Sequence, residues 1–294
     1  MEALKKPSLL DVFLIAIAVI IWASAFQAIK IAVQDVPPMM LATIRVGIGF
    51  LFLLPVGIYI GLVKPTRRSL YLLIIAATFN AVLPFSLISW AELKVTSAEA
   101  SLMMGAGPFF ALIIAHFFTD DEKLNWHKFI GCLVGAAGIL ILFGRDVYQS
   151  GGGDIKALMA LLLASLCYVI SSHFIRKVKG INALLITIYL FGLATLILSL
   201  SLMITGQLYI PKDVSQNSIL ALFYLGIFPT GIAFLMRNYL IRKIGFSYFA
   251  MGVNLLAPTG VLLGALILSE PVSIEMGLSI VFILIGLYIA RRGA

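Results

Sequence analysis

A chain of 294 residues in which 62% are hydrophobic and only 12% are charged has no soluble surface to build, since an ordinary globular domain is about half apolar and about a quarter charged. The formal net charge of +8 does not indicate nucleic acid: the basic residues gather in the connections between apolar runs, without a basic face carrying aromatic platforms. An integral membrane protein remains, and its spans are read as helices because a lone strand cannot satisfy its backbone in lipid.

In chain order, apolar runs of about 20 residues, enough to cross a bilayer as helices, fall at 9–33, 39–60, 70–91, 97–118 and 125–143, then at 155–175, 182–205, 217–240, 246–268 and 273–290. The expected fold is therefore all-α and integral to the membrane, with ten transmembrane helices arranged five plus five. Ahead of the first run, Lys5 and Lys6 lead toward Ala23-Ser24-Ala25, which mimics a signal-peptide cleavage site. The run outlasts the roughly 7–15 apolar residues of a signal segment and continues into Ile29–Val33, so it is expected to stay as a span. Cys132 and Cys167 fall inside spans and read as small apolar side chains, with no disulfide or metal framework. The stretch 145–154, which includes Gly151, Gly152 and Gly153, is the expected flexible joint between a first unit, 1–144, and a second, 155–294.

The chain repeats itself at a distance of about 150 residues. Ser97–Pro108 is echoed without a gap by Ser247–Pro258, and Leu70–Pro108 aligns with Leu220–Pro258 at a constant offset. Each copy runs on to an acidic residue, Glu122 or Glu270, and Gly138 pairs with Gly286 near the end of each half. In the first and sixth spans, Trp22 to Lys30 lies opposite Tyr168 to Arg176. Most basic residues, among them Lys64, Arg67, Arg68, Arg176, Lys177, Lys179, Arg242 and Lys243, fall in alternate connections, while the others hold only Lys30, Lys94, Arg145, Lys156 and Lys212. The positive-inside rule then puts both termini in the cytoplasm. With five spans per half, the second half enters from the opposite side, and the repeat is inverted.

A helix rises about 1.5 Å per residue and the hydrocarbon core is about 30 Å thick, so the midplane lies about ten residues into a span. Asn80 and its repeat partner Thr230 fall there, as do Trp22 and Tyr168, which is unusual for aromatics that favour interfaces. Asn254, opposite Met104, lies slightly nearer the cytoplasm. With Ser24, Ser171 and Trp90 these form a candidate substrate-binding lining; the alternative for each polar residue is a helix–helix hydrogen bond worth about 1 kcal/mol or less. Pro108 and Pro258 are expected to kink the fourth and ninth helices, each freeing a carbonyl toward a cavity or simply bending its helix. Arg45, about seven residues into its span, must face protein, water or a substrate carboxylate. Glu99 is its expected partner at similar depth, as a charge pair or gate. His173, Arg237 and Glu92 read as residues near the boundary that reach headgroups or water, and Glu122 and Glu270 as residues of connections.

The Trp-x-Ser-x-Phe-x-x-x-Lys pattern from Trp22 to Lys30, Arg45, the segments ending in Pro108 and Pro258, and the acidic Glu122 and Glu270 together resemble the drug/metabolite transporter superfamily, EamA type, over nearly the whole chain. The resemblance implies a bacterial inner-membrane carrier, many such proteins being amino-acid exporters, with a central cavity lined mainly by spans 1, 3, 4, 6, 8 and 9. The chain departs from the commoner pattern at Ser279 and at Tyr168. The expected function is alternating-access transport, favouring export of amino acids or related compounds, with a small-molecule substrate and the lipid bilayer as partners, no cofactor, no metal, and a monomer or homodimer. The alternative is an uptake carrier for a vitamin-like or quaternary-amine compound, whose cavity would hold more aromatic faces. An enzyme resembling membrane prenyltransferases would use Asp120, Asp121 and Glu122 with magnesium, but no second acidic cluster faces them.

Overall fold

The computed structural model describes residues 7–118, 125–150, 154–207, 209, 213–245, 249 and 252–292, and all regular structure among them is helical. The helices are α1 (Leu9–Ala32), α2 (Pro38–Ile60), α3 (Arg67–Ala91), α4 (Ser97–Met104 and Gly107–Phe118), α5 (Trp126–Ser150), α6 (Ile155–Arg176), α7 (Ala183–Ile204), α8 (Gln216–Leu225 continuing to Ile244), α9 (Leu256–Leu268) and α10 (Ile274–Arg291). Nine of the described spans are long and apolar enough to cross a bilayer; α9 is shorter, and the expected span 246–268 begins in residues mostly outside the description. Large side chains such as Leu9, Tyr59 and Ile204 are exposed along the outside, a surface that suits lipid and not water.

Polar residues set the starts of these helices. Ser8 caps α1 reciprocally, accepting from the Asp11 amide while its own amide and hydroxyl donate to Asp11 Oδ2; Thr66, Asn182, Ser215 and Ser273 cap α3, α7, α8 and α10 through their side-chain oxygens. One boundary departs from expectation. Residues 145–150, read as part of a non-helical joint, continue α5 to Ser150. The change to polar side chains ends the apolar run but not the backbone ladder, which can go on outside lipid. Gly151–Gly153 lie outside the described residues.

Two spans contain π-helical turns at corresponding places, Thr78–Val82 in α3 and Gly226–Ile232 in α8. Proline explains both. Pro84 cannot donate to the carbonyl of Asn80, and the Leu83 amide reaches back five residues to Thr78. Pro229 leaves the Leu225 carbonyl without its ladder donor, and the Thr230 hydroxyl supplies one at 2.7 Å. The Ala233 amide then bonds Phe228, which leaves the Pro229 carbonyl to a donor from another helix. In α4 and α9 the expected kinks are full interruptions: turns at 105–106 and 254–255 precede Pro108 and Pro258.

The helices pair as α2 with α7, α4 with α9, α5 with α10, α3 with α6, and α1 with α8 and α9. The α5–α10 contact is backbone on backbone: a Cβ at Gly131 would lie 2.5 Å from the Gly286 oxygen, and one at Gly286 2.6 Å from the Gly131 oxygen. Ser279 follows on the same seam, its buried hydroxyl donating to Gly138 O at 2.8 Å. The two larger apolar clusters among the described residues centre on Ile29, Leu41, Leu102 and Leu161 and on Leu53, Leu73, Ile188 and Phe191, and the Tyr168 side chain packs against both; a smaller one joins Ile15 and Val19 to Leu240 and Phe249.

Candidate functional site

The middle of the bundle is organised around the two π-turns. The Trp22 indole N–H donates to the carbonyl that Pro229 leaves free, at 3.0 Å, and its ring meets Phe234 and Phe249 edge-on at 5.8 and 5.9 Å. Two residues along α1, the Ser24 hydroxyl bonds the hydroxyl of Tyr224, whose ring stacks on Phe228. Arg45 enters from α2: its Nε donates to Thr230 Oγ1 at 3.0 Å, and its guanidinium lies 4.0 Å from the centre of the Phe85 ring. Phe85 in turn meets Tyr168 at 6.5 Å. Thr230 thus accepts from Arg45 while donating to Leu225, so one hydroxyl both repairs α8 and holds a buried cation. Gly49, one turn after Arg45, permits this, since a Cβ there would collide with the Thr230 side chain.

The expected Arg45–Glu99 association is not what the described contacts show. Glu99 closes a capping box at the start of α4, accepting from the Thr96 amide and hydroxyl at 2.9 and 3.0 Å; a carboxylate at that position is drawn to its own helix's free amides. The contacts of the Arg45 side chain are instead Thr230 and Phe85. Asn80 sits within the α3 π-turn with its Oδ1 buried and lacking a hydrogen-bond donor. Ser171 is fully buried and donates to the Ala76 carbonyl at 3.0 Å, a tie between α6 and α3. Trp90 stands apart: it is 41% exposed and ten residues beyond Asn80, about 15 Å along the helix. Met104, Pro108, Asn254 and Pro258 are half-buried around the two interruptions. The carbonyl freed by Pro108, that of Met104, accepts from Ser165 of α6 at 3.4 Å, so it is engaged in packing. A lateral groove of about 420 Å³ between α1 and α9, lined by Val12, Ile15, Val19, Leu255 and Thr259 among others, is apolar and includes none of the candidate residues.

The end of the bundle carrying the α1–α2 connection holds polar residues whose placing sequence reading missed. Glu270, just after α9, accepts from the Ser97 amide and hydroxyl and from the Ala98 amide at 2.8, 2.9 and 3.0 Å, capping α4 from outside. The Gln27 side-chain amide donates to Ser97 Oγ and to the Gly260 carbonyl, both at 3.0 Å. Lys30 donates to the carbonyls of Glu92 and Val95 at 2.6 and 2.8 Å. Glu92, expected to reach headgroups or water, is instead 0% exposed, as are Ser89 and Ser97. Asp35 in the α1–α2 connection accepts from the hydroxyls of Ser215 and Ser218 and from the Ser215 amide, capping α8; these donors hold its carboxyl below the ordinary value of 3.8. The signal for this cluster was present as spacing: Gln27 with Lys30, and Ser89 with Glu92, each three residues apart and so on one helix face.

Among the described residues no three His, Cys, Asp or Glu side chains come together; the acidic run Asp120–Glu122 lies outside them. A solved structure matches 97% of this chain and 99% of its own with a TM-score of 0.68 at 20% identity, which speaks to the fold. An uncharacterized transporter of Bacillus subtilis (strain 168), YoaV, is 23% identical over 276 residues, covering 92% of either chain. An uncharacterized transporter from the trpA 3' region of Buchnera aphidicola subsp. Schlechtendalia chinensis is 30% identical over 247 residues, 82% of this chain and 79% of its own. A probable terminal-alkyne amino-acid exporter of Streptantibioticus cattleyicolor is 22% identical over 262 residues, 88% of this chain and 86% of its own. The profile of the EamA-like transporter family matches twice, at residues 9–144 and 155–292, and with both the helical bundle and this double match in place, the chain belongs to the EamA-like transporter family.

Proposed function

We propose that this protein is a secondary transporter that exports a small organic metabolite, an amino acid or close relative, across a bacterial inner membrane by alternating access. The observation that carries the reading is the pairing of irregular backbone: π-turns at Thr78–Val82 and Gly226–Ile232, and interruptions at 105–106 and 254–255. Such interruptions at corresponding places of two halves mark the site around which transporter repeats move. The units 1–144 and 155–294, joined through 145–154, act in this reading as inverted repeats with both termini in the cytoplasm. The basic residues' distribution supports the orientation. The pairs α2–α7, α4–α9 and α5–α10, and α3–α6 with α1–α8, map onto one another when each helix is exchanged with the one five later, which supports the repeat.

Arg45 supplies the chemistry for a carboxylate-bearing substrate. It is buried, its Nε is committed to Thr230, and a guanidinium offers further N–H groups in a fork that fits a carboxylate. This geometry favours an amino acid over a quaternary amine, because a cation already occupies the Phe85 face and the Trp22 ring is engaged by Phe234 and Phe249. Export is favoured by the relative named for amino-acid export. The test is counterflow of radiolabelled L-amino acids in proteoliposomes. Exchange of at least one amino acid above empty vesicles, lost in Arg45→Ala with insertion intact, is expected. Exchange confined to choline or thiamine, or unaltered by Arg45→Ala, overturns the substrate assignment.

A further inference from the structure

Two glutamates at the α1–α2 end of the bundle have opposite surroundings. The Glu270 carboxylate accepts three hydrogen bonds from the start of α4. Glu92, at the end of α3, is 0% exposed, and neither of its carboxyl oxygens has a hydrogen-bond partner. The charged groups that face it are Lys30 from α1, Arg45 from α2 and Glu270 from the segment after α9. None discharges it by contact. Lys30 donates two hydrogen bonds to backbone carbonyls and none to the Glu92 carboxyl, Arg45 binds Thr230 and lies on Phe85, and Glu270 is itself acidic.

An ionised carboxylate taken out of water without donors is costly enough that the group neutralises instead. We infer that Glu92 is a proton-binding site, loaded when the α1–α2 end of the bundle is closed. Closure buries the carboxyl and takes one proton from the aqueous side; opening admits water and releases it there. Proton uptake is thus linked to the conformational equilibrium, and acidity on that side favours the closed end by mass action. A metal cation fits less well: it would sit beside Lys30 and Arg45, and it needs several oxygen ligands, whereas a proton needs one. This inference rests on the alternating-access reading for its meaning in transport, but the occupancy of the site does not depend on any substrate.

The test uses the full chain in phosphatidylethanolamine–phosphatidylglycerol vesicles at neutral pH, without substrate. Infrared spectroscopy of the wild type is expected to show the carbonyl stretch of a protonated carboxyl that disappears in Glu92→Gln and shifts in Glu92→Asp. The same band should be present in sodium chloride and in choline chloride. A wild-type spectrum matching that of Glu92→Gln overturns the inference, as does a band that emerges only when sodium is removed. If Glu92→Gln does not fold, the Glu92→Asp shift decides alone. A second readout is maleimide labelling of Ser101→Cys in a Cys132→Ala, Cys167→Ala background, taken as the ratio of the Glu92 protein to its Gln variant so that the thiol's own ionisation cancels. A ratio rising with pH is expected; a flat ratio overturns the link to closure. A protonated band without amino-acid counterflow leaves the site standing and removes the substrate reading, so the two can fail separately.

Discussion

The two ends of the bundle are tied together by different means. At the α1–α2 end, carboxylates cap helix starts that lie far away in the chain: Glu270 caps α4 and Asp35 caps α8, and Gln27 ties Ser97 to the Gly260 carbonyl. At the opposite end, the described ion pair is Lys243 with Asp11, at 2.7 Å, with Asp11 shielded and Lys243 26% exposed. A carboxylate on helix amides satisfies groups that have no other partner, so its removal leaves orphans. Lys243 is partly exposed and can turn toward water, while Asp11 keeps the Ser8 amide and hydroxyl as donors.

Glu270→Ala should therefore produce the largest effect. It removes three acceptor contacts from the start of α4 and leaves the Ser97 and Ala98 amides unmet, with an expected loss of about 1–3 kcal/mol. A lowered melting temperature of the detergent-solubilised protein would show it, and an unchanged one would break the contrast between the ends. Asp35 comes next and gives the contrast a pH dependence. Its folded carboxyl is held below the ordinary 3.8 by the hydroxyls of Ser215 and Ser218. The unfolded chain thus binds this proton more readily, and the contribution is complete above the ordinary value and declines as pH falls through it toward the folded one. Melting curves over an acidic pH series should show a shallower decline in Asp35→Asn than in the wild type. Lys243→Met should do least, shifting the melting temperature by less than Glu270→Ala, because Asp11 keeps two donors, the Ser8 amide and hydroxyl, when the lysine is removed; a larger shift than that of Glu270→Ala would reverse the ranking.

The spans were legible because each is a local property: about twenty apolar residues announce a helix wherever they occur. Expected starts at 9, 97 and 155 coincide with Leu9, Ser97 and Ile155. The prolines were legible as disturbances, but not as full interruptions, and the π-turns escaped notice because Pro84 and Pro229 act through carbonyls four residues back. Thr230 was found by depth alone; its bond to Arg45 requires knowing which face of α2 meets α8. The burial of Glu92 escapes sequence reading for a related reason, whereas Glu270 lies in a connection as expected, just after α9. Closeness to a span's end suggests water, yet whether water reaches that end depends on neighbours contributed by α1, α4 and α9, which no local window contains. Arg45 stands out in the sequence as a charge needing a partner, while the groups around it, Thr230 and Phe85, come from other helices.

The indole of Trp22 donates to a peptide carbonyl inside α8, and the chain has only three tryptophans. The other two, Trp90 and Trp126, are 41% and 70% exposed. Replacing those two by phenylalanine would leave a single tryptophan, the one at the centre of the bundle. Its emission depends on a bond that exists only while the Pro229 turn holds its shape, giving the protein a built-in optical gauge of helix bending that needs no attached dye.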